Sequence, residues 1–344
     1  MKAGKVLKYF IKLAISGILA LIILSVFCLI YFNPPMPTAQ SEEYSNTKYI
    51  ENRFWISLRE GFGFGRTNEL GYNDTPIRDE SAMRIAFIGS SHTVGLQMNQ
   101  KDIYPVVIEE LLFADDIAEN DFECISVASA GQFLNTSISN LEPLAKSFDN
   151  LAYVVLETPE LSYSEEEFEK MLLGEYHAAP EDDGFIYRAA QRIPYLRLIA
   201  NQYQSMREQQ IANSIARSTT PSEPDYEAYE RGFSAVAKKL GSIADEYGFT
   251  LIFLHHSIPT PDADHTFHSG HNSKNLEILQ RCCSENGIIL LDMCREFSDF
   301  HNSTSISPYG FANTCPGLGH LNANGHSIIA QKIYETVSQL GEVQ

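Results

Sequence analysis

The chain has 344 residues and a net charge of −19, with 44% hydrophobic and 20% charged residues. Those proportions exclude wholesale disorder. The acidic balance excludes a nucleic-acid-binding surface, which needs a basic stripe to neutralise phosphate. The charge is unevenly placed. Residues 1–32 hold Lys2, Lys5, Lys8 and Lys12 and no acid, so the rest of the chain sets 21 basic against 44 acidic side chains, a balance of −23.

Leu13–Phe32 (LAISGILALIILSVFCLIYF) runs 20 residues without a charge. At ~1.5 Å per residue it matches a hydrocarbon core of roughly 30 Å. The sequence therefore predicts a cytoplasmic tail over 1–12, a transmembrane anchor over 13–32, and an outward-facing remainder by the positive-inside rule. A cleaved signal peptide usually has a shorter apolar region, ~7–15 residues, and a small-residue cut site; residues 33–40 offer a poor one. The prolines at 34, 35 and 37 end the helix, and 33–82 reads as linker and lead-in. Cys28 lies in the apolar run. Cys124, Cys282, Cys283, Cys294 and Cys315 follow no finger spacing, so buried free thiols are expected.

Apolar strand-like runs then alternate with helical patterns. Arg84–Ile88 precedes a helix over Tyr104–Phe113, and Cys124–Ala128 precedes one near Thr136–Ser147. Ala152–Leu156 is a third strand. Thr250–Leu254 follows a periodic helix over Tyr226–Tyr247, and Gly287–Leu291 follows one over Asn272–Asn286. A last helix spans Ala323–Leu340. Continuous apolar strands between helices imply a parallel sheet covered on both faces, a three-layer α/β/α sandwich of five flavodoxin-like strands. Sites in such sheets lie at the strands' C-terminal ends. Residues 162–225 interrupt the rhythm with an acidic helix near Glu165–Lys170 and a basic, aromatic stretch over Ile186–Gln210. We read 162–225 as a helical insertion in a domain spanning 83–344.

The first strand ends in Phe87-Ile-Gly-Ser-Ser-His-Thr-Val-Gly95. Gly89 permits a sharp turn, which places Ser91 at a helix start where N–H groups favour a developing anion. A serine there becomes a nucleophile if a base is near. His320, in the loop before the last helix, can reach the same sheet edge as that base. His326 lies just inside the helix and reads as a packing or hydrogen-bonding residue.

The blocks Gly89-Ser-Ser-His-Thr-Val-Gly95 and His320-Leu-Asn-Ala-Asn-Gly-His326 together resemble the SGNH hydrolase (GDSL-like esterase) family over roughly Met83–Val337. Asn68-Glu-Leu-Gly-Tyr-Asn-Asp74 is similar to the lead-in of its membrane-anchored bacterial members. The resemblance implies Ser91 as nucleophile and His320 as base, with the Ser91 and Gly131 N–H groups in the oxyanion hole. Two positions depart from the family pattern. The third block's Asn is absent from Glu157-Thr-Pro-Glu160, so Thr158 is the candidate replacement donor. The Asp expected three residues before the histidine is Gly317, which leaves His320 oriented by a backbone carbonyl or by Asp292 at the end of the fifth strand.

His255, His256, His265, His268 and His271 crowd one segment with Asp262 and Asp264. Their spacing matches no zinc signature, and lining the pocket mouth is the alternative role for His255 or His256. The expectation is therefore an enzyme with no metal and no cofactor. The resemblance and the predicted orientation imply an inner-membrane, single-pass serine esterase acting on O-acyl, above all O-acetyl, esters of a cell-envelope or secreted glycan, or on a small ester. O-acyl transfer to a polysaccharide, a catalytically degenerate glycan-binding protein, and contact with polysaccharide-assembly proteins remain open alternatives.

Overall fold

The structure is a computed structural model, and it describes residues 3–31, 33–35, 48–58, 60–78, 82–114, 122–132, 134–159, 161, 163–174, 193–196, 198–199, 225–257, 259–261, 267–269 and 273–341. Backbone contacts divide the chain into two units. One comprises Met1–Pro34, Ile56–Leu58 and Pro180–Glu223; the other comprises Pro35–Trp55, Arg59–Ala179 and Pro224–Gln344. Within the first unit, helix α1 runs Ala3–Tyr31. Among the described residues, Gly4–Ile30 is the one helix long and apolar enough to cross a membrane, a property it shares with signal sequences. The helix starts earlier than the uncharged run because Lys5, Lys8 and Lys12 are good helix formers. Most of the Ile186–Gln210 stretch lies outside the described residues.

The second unit is built on a five-stranded parallel sheet: β1 (Met83–Ile88), β2 (Phe122–Ser126), β3 (Leu151–Thr158), β4 (Thr250–His255) and β5 (Ile289–Asp292). The order is β2-β1-β3-β4-β5. Side chains alternate between its two faces, as strand geometry requires. Ala86, Ile88, Val154, Leu156, Leu251 and Phe253 pack on one side against α3 (Leu134–Ser147), α4 (Glu165–Leu173), α5 (Tyr226–Tyr247) and α6 (Ser273–Glu285). Ile85, Phe87, Val155, Ile252, Leu254 and Leu291 pack on the other side with α2 (Tyr104–Ala114), α7 (Cys294–Thr304) and α8 (Ala323–Gly341). Two cores, one per face, explain the unbroken apolar strands. Truncating a fully buried member such as Phe233 costs ~3–5 kcal/mol.

Strand order reverses between β1 and β3, which is where sheets of this kind open a crevice. The sequence did not point to α7. Its N-cap is Met293, which makes no side-chain cap bond, so the usual Ser, Thr, Asp or Asn start signal is missing.

The lead-in is folded structure rather than a loose linker. Asn68 Oδ1 accepts the N–H groups of Leu70 (3.1 Å) and Tyr72 (3.0 Å). Asn73 donates to the Val94 carbonyl (2.6 Å) and accepts from the buried Trp55 indole (3.2 Å). Asp74 accepts the Ser126 N–H at 2.6 Å. These bonds tie residues 68–74 both to the turn after β1 and to β2.

Candidate active site

Beyond β1 the chain turns at Gly89 into a single helical turn, Ser91–Val94. The turn is tight because a Cβ on Gly89 would lie 2.1 Å from Thr93 Oγ1 and 2.5 Å from Glu157 Oε2. Ser90 caps the turn by accepting the His92 N–H at 3.2 Å. Ser91 is half-buried and opens the helix.

His320 arrives from the loop before α8. Its Nε2 is 2.8 Å from Ser91 Oγ. The two side chains that the sequence paired across 229 positions are thus in hydrogen-bond contact. The partner of His320 Nδ1 is neither a backbone carbonyl nor Asp292. It is Glu60, whose Oε2 lies 2.5 Å away while its Oε1 accepts the His320 backbone N–H at 2.9 Å. A carboxylate that grips both the ring and the main chain of one histidine fixes the ring's position. Asp292 instead accepts the Cys294 N–H at 3.4 Å, at the start of α7.

Local chemistry explains how Glu60 gets there. Asn313, in the loop preceding His320, donates its amide to the Gly61 carbonyl and accepts the Gly61 N–H, both at 2.8 Å. Gly319 adopts φ +95°, and a Cβ there would sit 2.2 Å from Glu60 Oε1. A glycine just before the histidine is therefore the space that the carboxylate occupies.

A second carboxylate lies behind the turn that carries Ser91. Glu157, on β3, is fully buried and accepts four hydrogen bonds. They come from Ser90 N (2.6 Å), Ser90 Oγ (3.2 Å), Thr93 Oγ1 (2.8 Å) and His256 Nε2 (2.9 Å). The proton positions follow. His256 donates from Nε2, so its Nδ1 accepts the Tyr309 O–H at 2.6 Å. Thr93 donates to the carboxylate, so it accepts the Tyr104 O–H at 2.7 Å. Burial alone would raise the Glu157 pKa. The hydrogen bonds from His256 and from the Ser90 N–H overcome that and hold it at about 2.

Glu157 stands where the sequence left a gap for an amide donor. Thr158, the candidate replacement, is fully buried, with its hydroxyl 3.4 Å from Tyr163 OH and its carbonyl accepting His255 Nδ1–H at 2.9 Å. Gly131 stands in the turn after β2 with φ +79°. The same loop is tied to the turn that carries Ser91 by Ser129 N donating to the Gly89 carbonyl at 3.1 Å.

The other histidines fill supporting positions. His92 Nδ1 accepts the Leu321 N–H at 3.3 Å, and its ring centroid is 5.0 Å from that of His320. Burial holds its pKa well below the usual imidazole range, so it adds no positive charge beside His320. His326 Nδ1 accepts the Tyr104 N–H at 3.0 Å, capping α2. Burial lowers the His326 pKa to about 3. The expectation of a packing and hydrogen-bonding role for His326 agrees with that geometry. His265 and His271 lie outside the described residues.

No family model and no curated protein matches the chain. Solved structures with some likeness include an acetyl xylan esterase, AlAXEase, at 16% identity, covering 74% of this chain and 100% of that one with a TM-score of 0.40. A member of the lipolytic protein G-D-S-L family from Veillonella parvula shares 14% identity over 74% and 97% with a TM-score of 0.38. Est24, a carbohydrate acetylesterase from Sinorhizobium meliloti, shares 12% over 75% and 99% with a TM-score of 0.38.

Proposed function

We propose that the chain is a serine ester hydrolase of the SGNH type, in which Ser91, His320 and Glu60 form a Ser–His–Glu triad. The observation that carries this reading is the unbroken path from Glu60 Oε2 through the His320 ring to Ser91 Oγ, at 2.5 and 2.8 Å. Glu60 accepts the Nδ1 proton, which leaves the Nε2 lone pair facing the serine hydroxyl. Ser91 Oγ attacks the ester carbonyl as its proton passes to Nε2, and Glu60 stabilises the imidazolium formed. The N–H groups of Ser91 and Gly131 are the donors this reading assigns to the oxyanion. On collapse, the Nε2 proton goes to the leaving alkoxide. Water, deprotonated by the same nitrogen, then hydrolyses the acyl-serine.

The missing acid at position 317 and the missing Asn of the third block are the features that favour a degenerate binding protein; in this reading Glu60 supplies the acid from the other end of the chain. The substrate class we infer is an O-acyl, above all O-acetyl, ester of a cell-envelope or secreted glycan. The family resemblance and an anchor over 13–32 that leaves residues 33–344 outside the cytoplasm support it. The same acyl-enzyme resolved by a sugar hydroxyl instead of water gives transfer, and product analysis separates the two. The test is hydrolysis of p-nitrophenyl acetate by the detergent-solubilised full chain, with the acetyl adduct located by mass spectrometry. The reading expects turnover and acetyl on Ser91. Absence of both, beside a working serine esterase control, overturns it.

A further inference from the structure

A separate cluster lies at the far end of the same sheet edge. His255 ends β4 and Asp292 ends β5, and the two are paired in register, so their side chains leave the sheet on the same face. Cys294 follows two residues later as the first residue of α7. One ligand atom of each residue lies within 4.8 Å of the other two. From this juxtaposition we propose that His255, Asp292 and Cys294 form a binding site for a zinc-class divalent transition-metal ion, with three protein ligands and one position left for water.

The donor set decides the class of ion. One imidazole nitrogen, one carboxylate oxygen and one sulfur suit a borderline-soft cation of the zinc type. Calcium and magnesium require all-oxygen spheres. Orientation is already provided. The Thr158 carbonyl can only accept, so His255 Nδ1 donates to it at 2.9 Å and the lone pair sits on Nε2. A backbone carbonyl holding the other ring nitrogen is the outer-shell arrangement of metal-bound histidines. Asp292 is held by the Cys294 N–H at 3.4 Å, and Ser257 Oγ lies 3.2 Å from Cys294 Sγ.

Geometry and access also fit. Tetrahedral bonds of about 2.0–2.3 Å separate ligand atoms by about 3.3–3.8 Å, so the cluster needs a closure of at most about 1.5 Å. His255 and Cys294 are buried while Asp292 is half-buried, which leaves an entry side. A divalent cation bound there takes Cys294 as the thiolate and releases its proton. Bound there, the ion joins β4, β5 and the first turn of α7, with β3 held through Thr158.

The test uses the detergent-solubilised full chain, stripped with a chelator and titrated with Zn²⁺ against a chromophoric competitor, then with Co²⁺. The expected result is one equivalent of Zn²⁺, a thiolate-to-Co²⁺ charge-transfer band, and a melting temperature that rises with Zn²⁺. Cys294→Ser should abolish the band, and Cys294→Ser and Asp292→Asn should each weaken Zn²⁺ binding at least tenfold. Far-UV circular dichroism without metal verifies that each variant is folded. Absence of stoichiometric binding overturns the proposal. So does binding that survives Cys294→Ser and Asp292→Asn but is lost on replacing His265, His268 and His271.

Discussion

Among the described residues, two glutamate–histidine pairs have similar composition and different consequence. In Glu60–His320 the pair is 2.5 Å apart, with side chains 17% and 28% exposed, and the far ring nitrogen meets Ser91 Oγ. In Glu157–His256 it is 2.9 Å apart, both side chains are fully buried, and the far ring nitrogen meets Tyr309 OH. Every proton of the inner pair is committed within a closed network, so it holds shape. The outer pair ends on a hydroxyl at a half-open surface, so it can pass a proton to something that arrives. A carboxylate–imidazole contact is thus no sign of catalysis by itself. What the far nitrogen touches, and whether that atom can be reached, decides its use.

Substitutions that separate the two pairs test this contrast. Ser91→Ala should lower ester hydrolysis by about 10⁵-fold or more, as the loss of a triad nucleophile does, measured as kcat/KM on p-nitrophenyl acetate. Glu60→Gln should lower kcat by about 10²–10⁴-fold, because the amide no longer selects the productive tautomer; thermal unfolding should change less than in Glu157→Gln, because Glu60 is partly open to solvent while Glu157 is fully buried. Glu157→Gln should do the reverse in emphasis. An amide cannot accept four donors, so the variant should lose roughly 3 kcal/mol of stability in urea unfolding. Its kcat should fall only through displacement of the Ser90–Ser91 turn. Equal stability losses for the two glutamate variants would erase the distinction.

The pH dependence of stability supplies a smaller effect. His326 has its folded-state pKa lowered to about 3 from the ordinary imidazole value of about 6.5. The unfolded chain therefore binds this proton first, and stability is lost as pH falls below 6.5, by about 1.4 kcal/mol per unit, until pH nears 3. His326→Asn keeps an acceptor for Tyr104 N and removes the titration. The stability difference between wild type and variant should shift in the variant's favour by that slope below pH 6.5. Glu157, with its pKa lowered to about 2, contributes stability that is present above the ordinary glutamate range and lost as pH falls through about 2. The smallest effect expected is Trp55→Phe, which removes one buried hydrogen bond to Asn73 and should cost about 1 kcal/mol beyond the packing change.

Much of the fold was legible because its strands are buried on both faces and read as apolar runs. Helices α2, α3, α5, α6 and α8 were legible from their periodicity. Ser91 and His320 were legible because each sits inside a short block whose neighbours shape a turn or a cap. Glu60 was not. It lies 260 positions from His320, and nothing local marks an acid that acts through so long a closure. The missing acid was sought next to the histidine, whereas Gly319 there is the gap that admits it. Glu157 was read as the loss of an amide donor, since a buried carboxylate is recognisable only once its four donors converge. Asp292 and His255 stood out singly in the sequence. Only the register of β4 and β5 sets them side by side with Cys294.

The most direct test of the triad is the rate at which a fluorophosphonate probe labels the solubilised full chain, with the adduct located by mass spectrometry. The account predicts a single adduct on Ser91 in wild type, none in Ser91→Ala, and labelling slowed by about 10²-fold or more in Glu60→Gln. Labelling of Ser91 at the same rate in Glu60→Gln as in wild type, or no labelling of Ser91 beside a reactive control esterase, would contradict it.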